Sequence, residues 1–319
     1  MAEGGLRYVI ALGGNAIIPA GAQGTFAEQL EITRATMAQV AQLTAAGHEV
    51  VLTHGNGPVV GNIVLRGDAG QAVHGIPAMP MFVCGADSQG GLGFMLQQAL
   101  QNELRRAGVG KPVVSVVTQV LVDSADPAFG HPTKPIGPFY DQEQAERLRQ
   151  EYGWAVVKDA GRGWRRVVPS PQPVEVIEWE AIRALLDAGV VTIAVGGGGI
   201  PVVRRPDGDL EGVDAVIDKD RASDLLGRLV AAHVLVIVTQ VEKVCVHFGK
   251  PEQEALDVLP ADRAAALLAA GEFPDGSMGP KIEAALSFLA GGGREVVVTA
   301  PGQVLAAIRG NAGTRIVPA

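Results

Sequence analysis

The chain has 319 residues, 47% of them hydrophobic and 19% charged, with a formal net charge of −8, a balance that excludes a disordered chain and lacks the basic surface that nucleic-acid binding needs. Its two cysteines, Cys84 and Cys245, form no C-x-x-C pair, which argues against a disulfide framework or a structural zinc. Apolar runs such as VVSVVTQVLV stop short of the ~18 residues of a membrane span, and MAEGGLRYVIALGG has no basic segment ahead of a long apolar one. A cytoplasmic protein without membrane or nucleic-acid partners is expected.

In chain order, YVIALGG (8–14) reads as a strand, FAEQLEITRATMAQVAQLTAAG (26–47) as a helix and HEVVLTHG (48–55) as a strand. GGLGFMLQQALQNELRRAG (90–108) repeats apolar residues at helical spacing, and PVVSVVTQVLVD (112–123) reads as one strand. The 123–173 stretch breaks the rhythm with its prolines (DPAFGHPTKPIGPFY) and a basic cluster, Arg162, Arg165 and Arg166, so it is expected to project from the sheet as an inserted subdomain. Beyond it, EVIEWEAIRALLDAG (175–189), DRASDLLGRLVAA (220–232) and PKIEAALSFLAGG (280–292) read as helices. VVTIAVGGGG (190–199), HVLVIVTQVEKV (233–244), REVVVTA (294–300) and TRIVP (314–318) read as strands. These strands barely alternate, as strands buried on both faces do. Gly47, Gly108, Gly189 and Gly271 each follow an alanine that closes a helical run, the place of a C-terminal cap. Strand and helix in alternation predict an α/β fold with a parallel, doubly wound sheet, whose ligands bind at the carboxyl ends of the strands.

Glycines collect at those ends: Gly13-Gly14-Asn15, Gly55-Asn56-Gly57 and Gly196 to Gly199. Glycine there lets backbone N–H groups approach an anion, and a following helix adds a favourable dipole. Gly197 and Gly198 are therefore candidate phosphoryl contacts. No G-x-x-x-x-G-K-[ST] is present, and the tetraglycine lacks the last glycine and the helix of a dinucleotide fingerprint. Three lysines stand out instead: Lys134 between prolines, and Lys219 and Lys281 at helix starts, where a cation opposes the dipole unless it faces an anion. Phosphoryl transfer needs positive charge around the migrating group more than it needs a base. Lysines, glycine loops and a positioning aspartate form a sufficient kit. His54 reads as structural or substrate-orienting, and Asp214, Asp218 and Asp224 as capping, paired or solvated.

In order along nearly the whole chain, ALGGNA, THGNGP, SQGGLGF, TQVLVDSADPAF, PTKPIGPFY, RRVVPSPQP, GGGGIPV, VIDKDRAS and GSMGPKIEAA resemble the amino acid kinase family, in the branch that acts on carbamate. The resemblance implies an open three-layer αβα sandwich with a mainly parallel central sheet plus a small protruding subdomain. It implies a lobe for carbamate or carbamoyl phosphate over residues 1–205, including the protrusion at about 123–173, a nucleotide lobe for ATP or ADP over 206–319, and a homodimer. Mg2+ would be carried by the nucleotide phosphates, with no metal ligands from the protein. Position by position, it implies that Gly13, Gly14 and Asn15 hold the transferred group and that Gly55, Asn56 and Lys134 line the carbamate side. Lys219 and Lys281 would flank the phosphoryl group, Asp220 would orient them, and Thr239, Ser277 and Met278 would serve the nucleotide. Three alternatives stay open at this point: a kinase of another small carboxylate or phosphate, a nucleotide sensor without catalysis, and a nicotinamide-dependent dehydrogenase.

Overall fold

A computed structural model describes residues 5–14, 17–18, 23–159, 163–274 and 276–319. Successive residues of the first strand, β1 (Arg7–Leu12), serve two different cores. Val9 and Ala11 join one buried cluster while Tyr8, Ile10 and Leu12 join another, because a strand sends neighbouring side chains to opposite faces. Both clusters are apolar, so the strand has no polar side and no alternation to read.

After β1 come α1 (Phe26–Ala45), β2 (Glu49–His54), α2 (Gly57–His74), α3 (Met81–Arg106), β3 (Val113–Ser115) and β4 (Gln119–Val122). Thr25 and Glu28 start α1 with a capping box, each side chain bonded to the other residue's backbone N–H. Residues 134–168 then supply β5 (Lys134–Tyr140), α4 (Gln142–Tyr152), β6 (Val156–Asp159) and β7 (Gly163–Val168). The chain returns through β8 (Pro173–Val176), α5 (Trp179–Asp187), β9 (Val191–Ile193), β10 (Ile200–Arg204), β11 (Leu210–Gly212) and α6 (Lys219–Leu229). It continues with β12 (Val234–Val238), β13 (Val244–Val246), β14 (Glu254–Leu256), β15 (Val258–Pro260) and α7 (Ala261–Ala269). α8 (Gly279–Ala290), β16 (Glu295–Thr299), α9 (Val304–Ile308) and β17 (Thr314–Val317) complete it.

The central eight-stranded sheet runs β15-β17-β16-β12-β1-β2-β9-β3 and is parallel except where β17 meets β16. Met37, Leu96, Leu100 and Val304 of α1, α3 and α9 cover one face, and Ile182, Leu226, Ile282 and Phe288 of α5, α6 and α8 cover the other. That is an αβα sandwich. A second sheet, β11-β10-β4-β8, and a pair, β13-β14, extend it, and the antiparallel β5-β7-β6 sheet with α4 forms a small unit of its own. Gly47, Gly108, Gly189 and Gly271 all have positive φ after the helices they end. Residue 205 falls between the paired strands β10 and β11, and the central sheet is continuous across that point.

Two expectations need correction, and one helix went unread. The 112–123 run is two strands in two sheets, because the Gln89 side chain takes the backbone of Thr118: its Oε1 accepts from Thr118 N at 2.8 Å and its Nε2 donates to Thr118 O at 3.0 Å. The 233–244 run likewise divides into β12 and β13. α2 went unread because Gly57, Gly61, Gly67 and Gly70 each lower helix propensity by about 1 kcal/mol relative to alanine. Gly61 is required by packing: a Cβ there would stand 2.6 Å from the Cα of Gly137 in β5, where α2 supports the small unit.

Candidate active site

β1, β2 and β9 lie side by side, so the glycines that follow them meet at one sheet edge. A cavity of about 210 Å³ opens there. Gly13, Gly14, Gly55, Asn56 and Gly197 line it from the strand ends, and Lys134 reaches it from β5. Lys219 and Asp220 enter from the first turn of α6, Lys281 from that of α8, and Thr239 and Ser277 stand at its far side. Met278 lines an adjoining recess that shares Thr239, Ser277 and Lys281 with the cavity, and Cys245 and Phe248 line the same recess. Asn15 and Arg162 lie outside the described residues. Gly198 stands apart from the cavity lining, buried so that a Cβ would meet the Ile217 carbonyl oxygen at 2.3 Å.

Charge pairing organises the lysines. Lys219 Nζ bonds Asp220 Oδ1, and Lys281 Nζ reaches Asp220 Oδ2 at 3.1 Å and the Ser277 carbonyl at 3.0 Å. Asp220 is 2% exposed, so one buried carboxylate spaces two ammonium groups on the same side of the cavity. Burial, and then the neighbouring Lys281, hold the Lys219 pKa below its ordinary value, against the pull of Asp220. Asp218 caps α6 by accepting from the Asp220 and Arg221 N–H groups, and its Oδ2 takes Lys134 Nζ at 2.5 Å. Burial alone would raise the Asp218 pKa, but Lys134 and Lys219 drive it well below the usual carboxylate range. Arg221 ties α6 to α8 through Glu283 at 2.6 Å, so the two helix starts that carry Lys219 and Lys281 are held together twice.

Two of the strand-end glycines have their N–H groups engaged within the sheet. Gly13 N–H donates to Val238 O at 2.9 Å and Gly55 N–H to Leu12 O at 2.8 Å, so both groups extend the sheet instead of pointing at an anion. What glycine supplies is room: a Cβ on Gly55 would stand 3.0 Å from Gly14 N and 3.2 Å from Lys219 Cδ, and one on Gly13 3.0 Å from the Val238 carbonyl oxygen. The tetraglycine is buried in protein. A Cβ at Gly196 would meet His54 Nε2 at 2.5 Å, at Gly197 Asn56 Nδ2 at 2.3 Å, and at Gly199 the Val120 side chain at 2.1 Å. Gly197, Gly198 and Gly199 also have φ of 69°, 92° and 91°, open to glycine alone at low strain. A following helix start faces the cavity at α2, through Gly57 and Pro58, whereas β10 follows the tetraglycine.

His54 is 1% exposed and its Nδ1–H donates to the Gly55 carbonyl at 3.1 Å. Burial pushes its pKa down to about 4, so the ring is neutral and acts as packing behind Gly196. Asp214 accepts from Met81 N–H at 2.8 Å at the start of α3, and Asp224 pairs with Arg228 at 3.0 Å. Arg166 stacks on Trp154 at 4.1 Å and Arg165 on Phe139 at 5.1 Å, which places these members of the basic cluster in packing within the small unit. Cys84 is buried. Asp218 is both capping and paired, as the sequence suggested, with Lys134 as a partner that the sequence did not name; sequence reasoning missed Ser88 and Gln89 behind the cavity.

An αβα sandwich whose strand ends meet in a lysine-rich, glycine-lined cavity is a protein of the α/β class with its candidate site at one sheet edge. The model of the amino acid kinase family matches residues 7–300, and the chain belongs to that family. It is 49% identical over 312 residues to a carbamate kinase of Pyrococcus horikoshii, covering 98% of this chain and 99% of that protein. It is also 49% identical over 310 residues to the carbamate kinase-like protein YahI of Escherichia coli, covering 97% and 98%. A carbamate kinase from Giardia lamblia, solved bound to AMP-PNP, superposes with a TM-score of 0.90 at 41% identity and 99% coverage of both chains.

Proposed function

We infer that this protein is a phosphotransferase that moves a phosphoryl group reversibly between carbamoyl phosphate and ADP, giving carbamate and ATP. The observation that carries the reading is the meeting of Lys134, Lys219 and Lys281 around one cavity with two aspartates to hold them, which leaves a positive surplus facing the strand ends. An oxygen of the ADP β-phosphate attacks phosphorus, the bond from phosphorus to the carbamate oxygen breaks, and carbamate leaves as an anion. No proton need move, so a site without a base in the cavity suffices. Lys219 and Lys281 flank the transferring group, Lys134 engages the carbamate side, and the Met278 recess receives the nucleoside. Positive charge already in place where the transition state is negative supplies the main acceleration.

Mg2+ arrives as part of the nucleotide substrate. Support for holding it on the phosphates comes from Asp218 and Asp220, which are both committed to lysines. The proposed division of labour keeps 1–205 for the small substrate and 206–319 for the nucleotide, joined by the shared sheet. The proposal includes a cytoplasmic homodimer. Exposed Phe94 and Val117, beside the place where Gly93 of α3 meets Ser115 of β3, offer apolar surface to a second copy, and no helix among the described residues is long and apolar enough to cross a membrane.

The test is ATP formation from ADP, Mg2+ and carbamoyl phosphate, with acetyl phosphate as control donor, in wild type and Lys281→Ala. Rapid ATP formation from carbamoyl phosphate that falls about 100-fold or more in the variant is the expected result. ADP binding without ATP formation would sink the carbamate reading and leave another substrate or a sensor.

A further inference from the structure

Asn56 is the N-cap residue of α2, a position where asparagine ordinarily accepts a hydrogen bond from the helix's own first turn. Here it makes no such bond. Its Nδ2 instead donates to Ser88 Oγ of α3 at 2.8 Å. Ser88 carries a single hydroxyl proton, and that proton goes to the Gly85 carbonyl one turn back at 2.6 Å. Towards Asn56 the hydroxyl therefore offers lone pairs alone. The amide must present its NH2 group; turned over, its oxygen would meet the serine lone pairs or strip Gly85 of its donor. On the opposite side Asn56 lies against Gly197, where even one methyl group would collide with its amide. Gln89, next in sequence, holds that wall in place by donating to Gly196 O at 2.9 Å.

We propose that Ser88 is a positioning residue that locks the Asn56 amide away from the amino terminus of α2, keeping that first turn uncapped for the anionic substrate. The first-turn N–H groups of a helix have no partner within it, and Gly57 and Pro58 line the cavity that the three lysines face. Proline supplies no N–H at the second position, so the natural target of an Asn56 cap is the Val59 N–H. Asn56 sits at φ −131° and ψ 7°, away from the extended backbone of a capping residue; without Ser88 the residue can relax to that backbone and its amide can occupy the turn that otherwise attracts the phosphoryl donor. The residue thus trades a helix cap for an open anion site. This rests on the reading of the cavity as a carbamoyl phosphate site, and it assigns work to the SQGGLGF segment that the lysines and glycines leave unexplained.

The experiment combines Ser88→Ala, Asn56→Ala and the double variant, followed by steady-state ATP formation, urea unfolding and proton exchange of the Asn56 side-chain amide in asparagine-labelled protein. Ser88→Ala is expected to raise KM for carbamoyl phosphate about tenfold while KM for ADP stays within about twofold, since a small misplacement at the reacting end is felt there first. Its urea midpoint should be unchanged or higher, because a cap is gained, and the Asn56 amide should exchange faster. In the Asn56→Ala background, removing Ser88 should cost nothing more, as required of a residue acting through another. Unchanged kinetics, equal losses for both substrates with a lower midpoint, or a further loss in that background overturns the proposal. If wild type makes no ATP from carbamoyl phosphate, the reaction assignment fails; the amide exchange still decides the role of Ser88, supported by faster exchange in Ser88→Ala and overturned by equal rates.

Discussion

The two ends of β1 carry buried cations in opposite states. At the amino end, Arg7 gives Nε to Glu49 at 2.7 Å, one terminal nitrogen to Asp187 at 2.6 Å and the other to the Val230 carbonyl, so two carboxylates and a carbonyl answer one guanidinium. Burial would lower the Arg7 pKa, but the bonds to Glu49 and Asp187 outweigh it and the net shift is upward. At the carboxyl end, beyond Gly13, Lys219 and Lys281 share Asp220, and the Lys219 pKa shifts downward. The same strand therefore ends in a satisfied cluster that stitches β1 to β2, α5 and α6, and in one where two lysines share a single carboxylate, the place proposed for the anion. Electrostatic surplus at one end, held in place by a rigid sheet and by saturation at the other, is what separates a binding site from a staple.

Exchanging the roles of the two ends tests this contrast, and the largest effect belongs to the site. Lys219→Met should lower kcat about 1,000-fold, ~4 kcal/mol of transition-state stabilisation, with no loss in urea midpoint, since an under-compensated buried charge is removed. A marked drop in stability would show that Lys219 is structural after all. Arg7→Met should do the reverse. It leaves Glu49, Asp187 and the Val230 carbonyl without their donor and should cost about 3 kcal/mol of unfolding free energy, with kcat within about twofold; an equal loss of turnover would mean the two ends are coupled.

The next effect is set by pH. His54 has a folded-state pKa of about 4, below the ordinary value of 6.5, so between these limits the unfolded state binds the proton more readily. Stability is therefore full above 6.5 and declines as pH falls towards 4, by about 2 kcal/mol between pH 8 and pH 5. Urea midpoints over that range should show the slope, and His54→Gln should flatten it between pH 6.5 and 5, above the usual range of carboxylates. Smallest is Gly55→Ala, where the new methyl group crowds Lys219 Cδ at 3.2 Å and Gly14 N at 3.0 Å. A tenfold loss of kcat/KM, ~1.4 kcal/mol, is expected with ADP binding retained. Unaltered kinetics would contradict the account of why this glycine is there.

Much of the candidate site was readable before any fold was known, because the signals that mark it are local. Lys219 and Lys281 betrayed themselves by standing at helix starts where a cation is out of place, and the glycines by following apolar runs. The helix ends at Gly47, Gly108, Gly189 and Gly271 were equally plain, since only a residue without Cβ takes those φ values without strain. The long apolar runs misled at Thr118, where a glutamine 29 residues away ends the ladder. α2 was invisible for a similar cause: its Gly61 serves a contact with Gly137, and nothing near it in sequence announces that.

What residue order alone determined, then, was the α/β class and the gathering of glycines and lysines at one sheet edge, which follow from periodicity, propensity and local electrostatics over a few neighbouring residues. Only the tertiary structure decided which groups those residues meet. It paired Lys134 with Asp218 and both Lys219 and Lys281 with Asp220, spent the tetraglycine on packing against His54, Asn56, Ile217 and Val120, and turned Asn56 away from its own helix towards Ser88. The physical reason is range: propensity acts through adjacent peptide units, whereas the direction of a buried polar side chain is set by partners that only the folded chain brings within hydrogen-bonding distance.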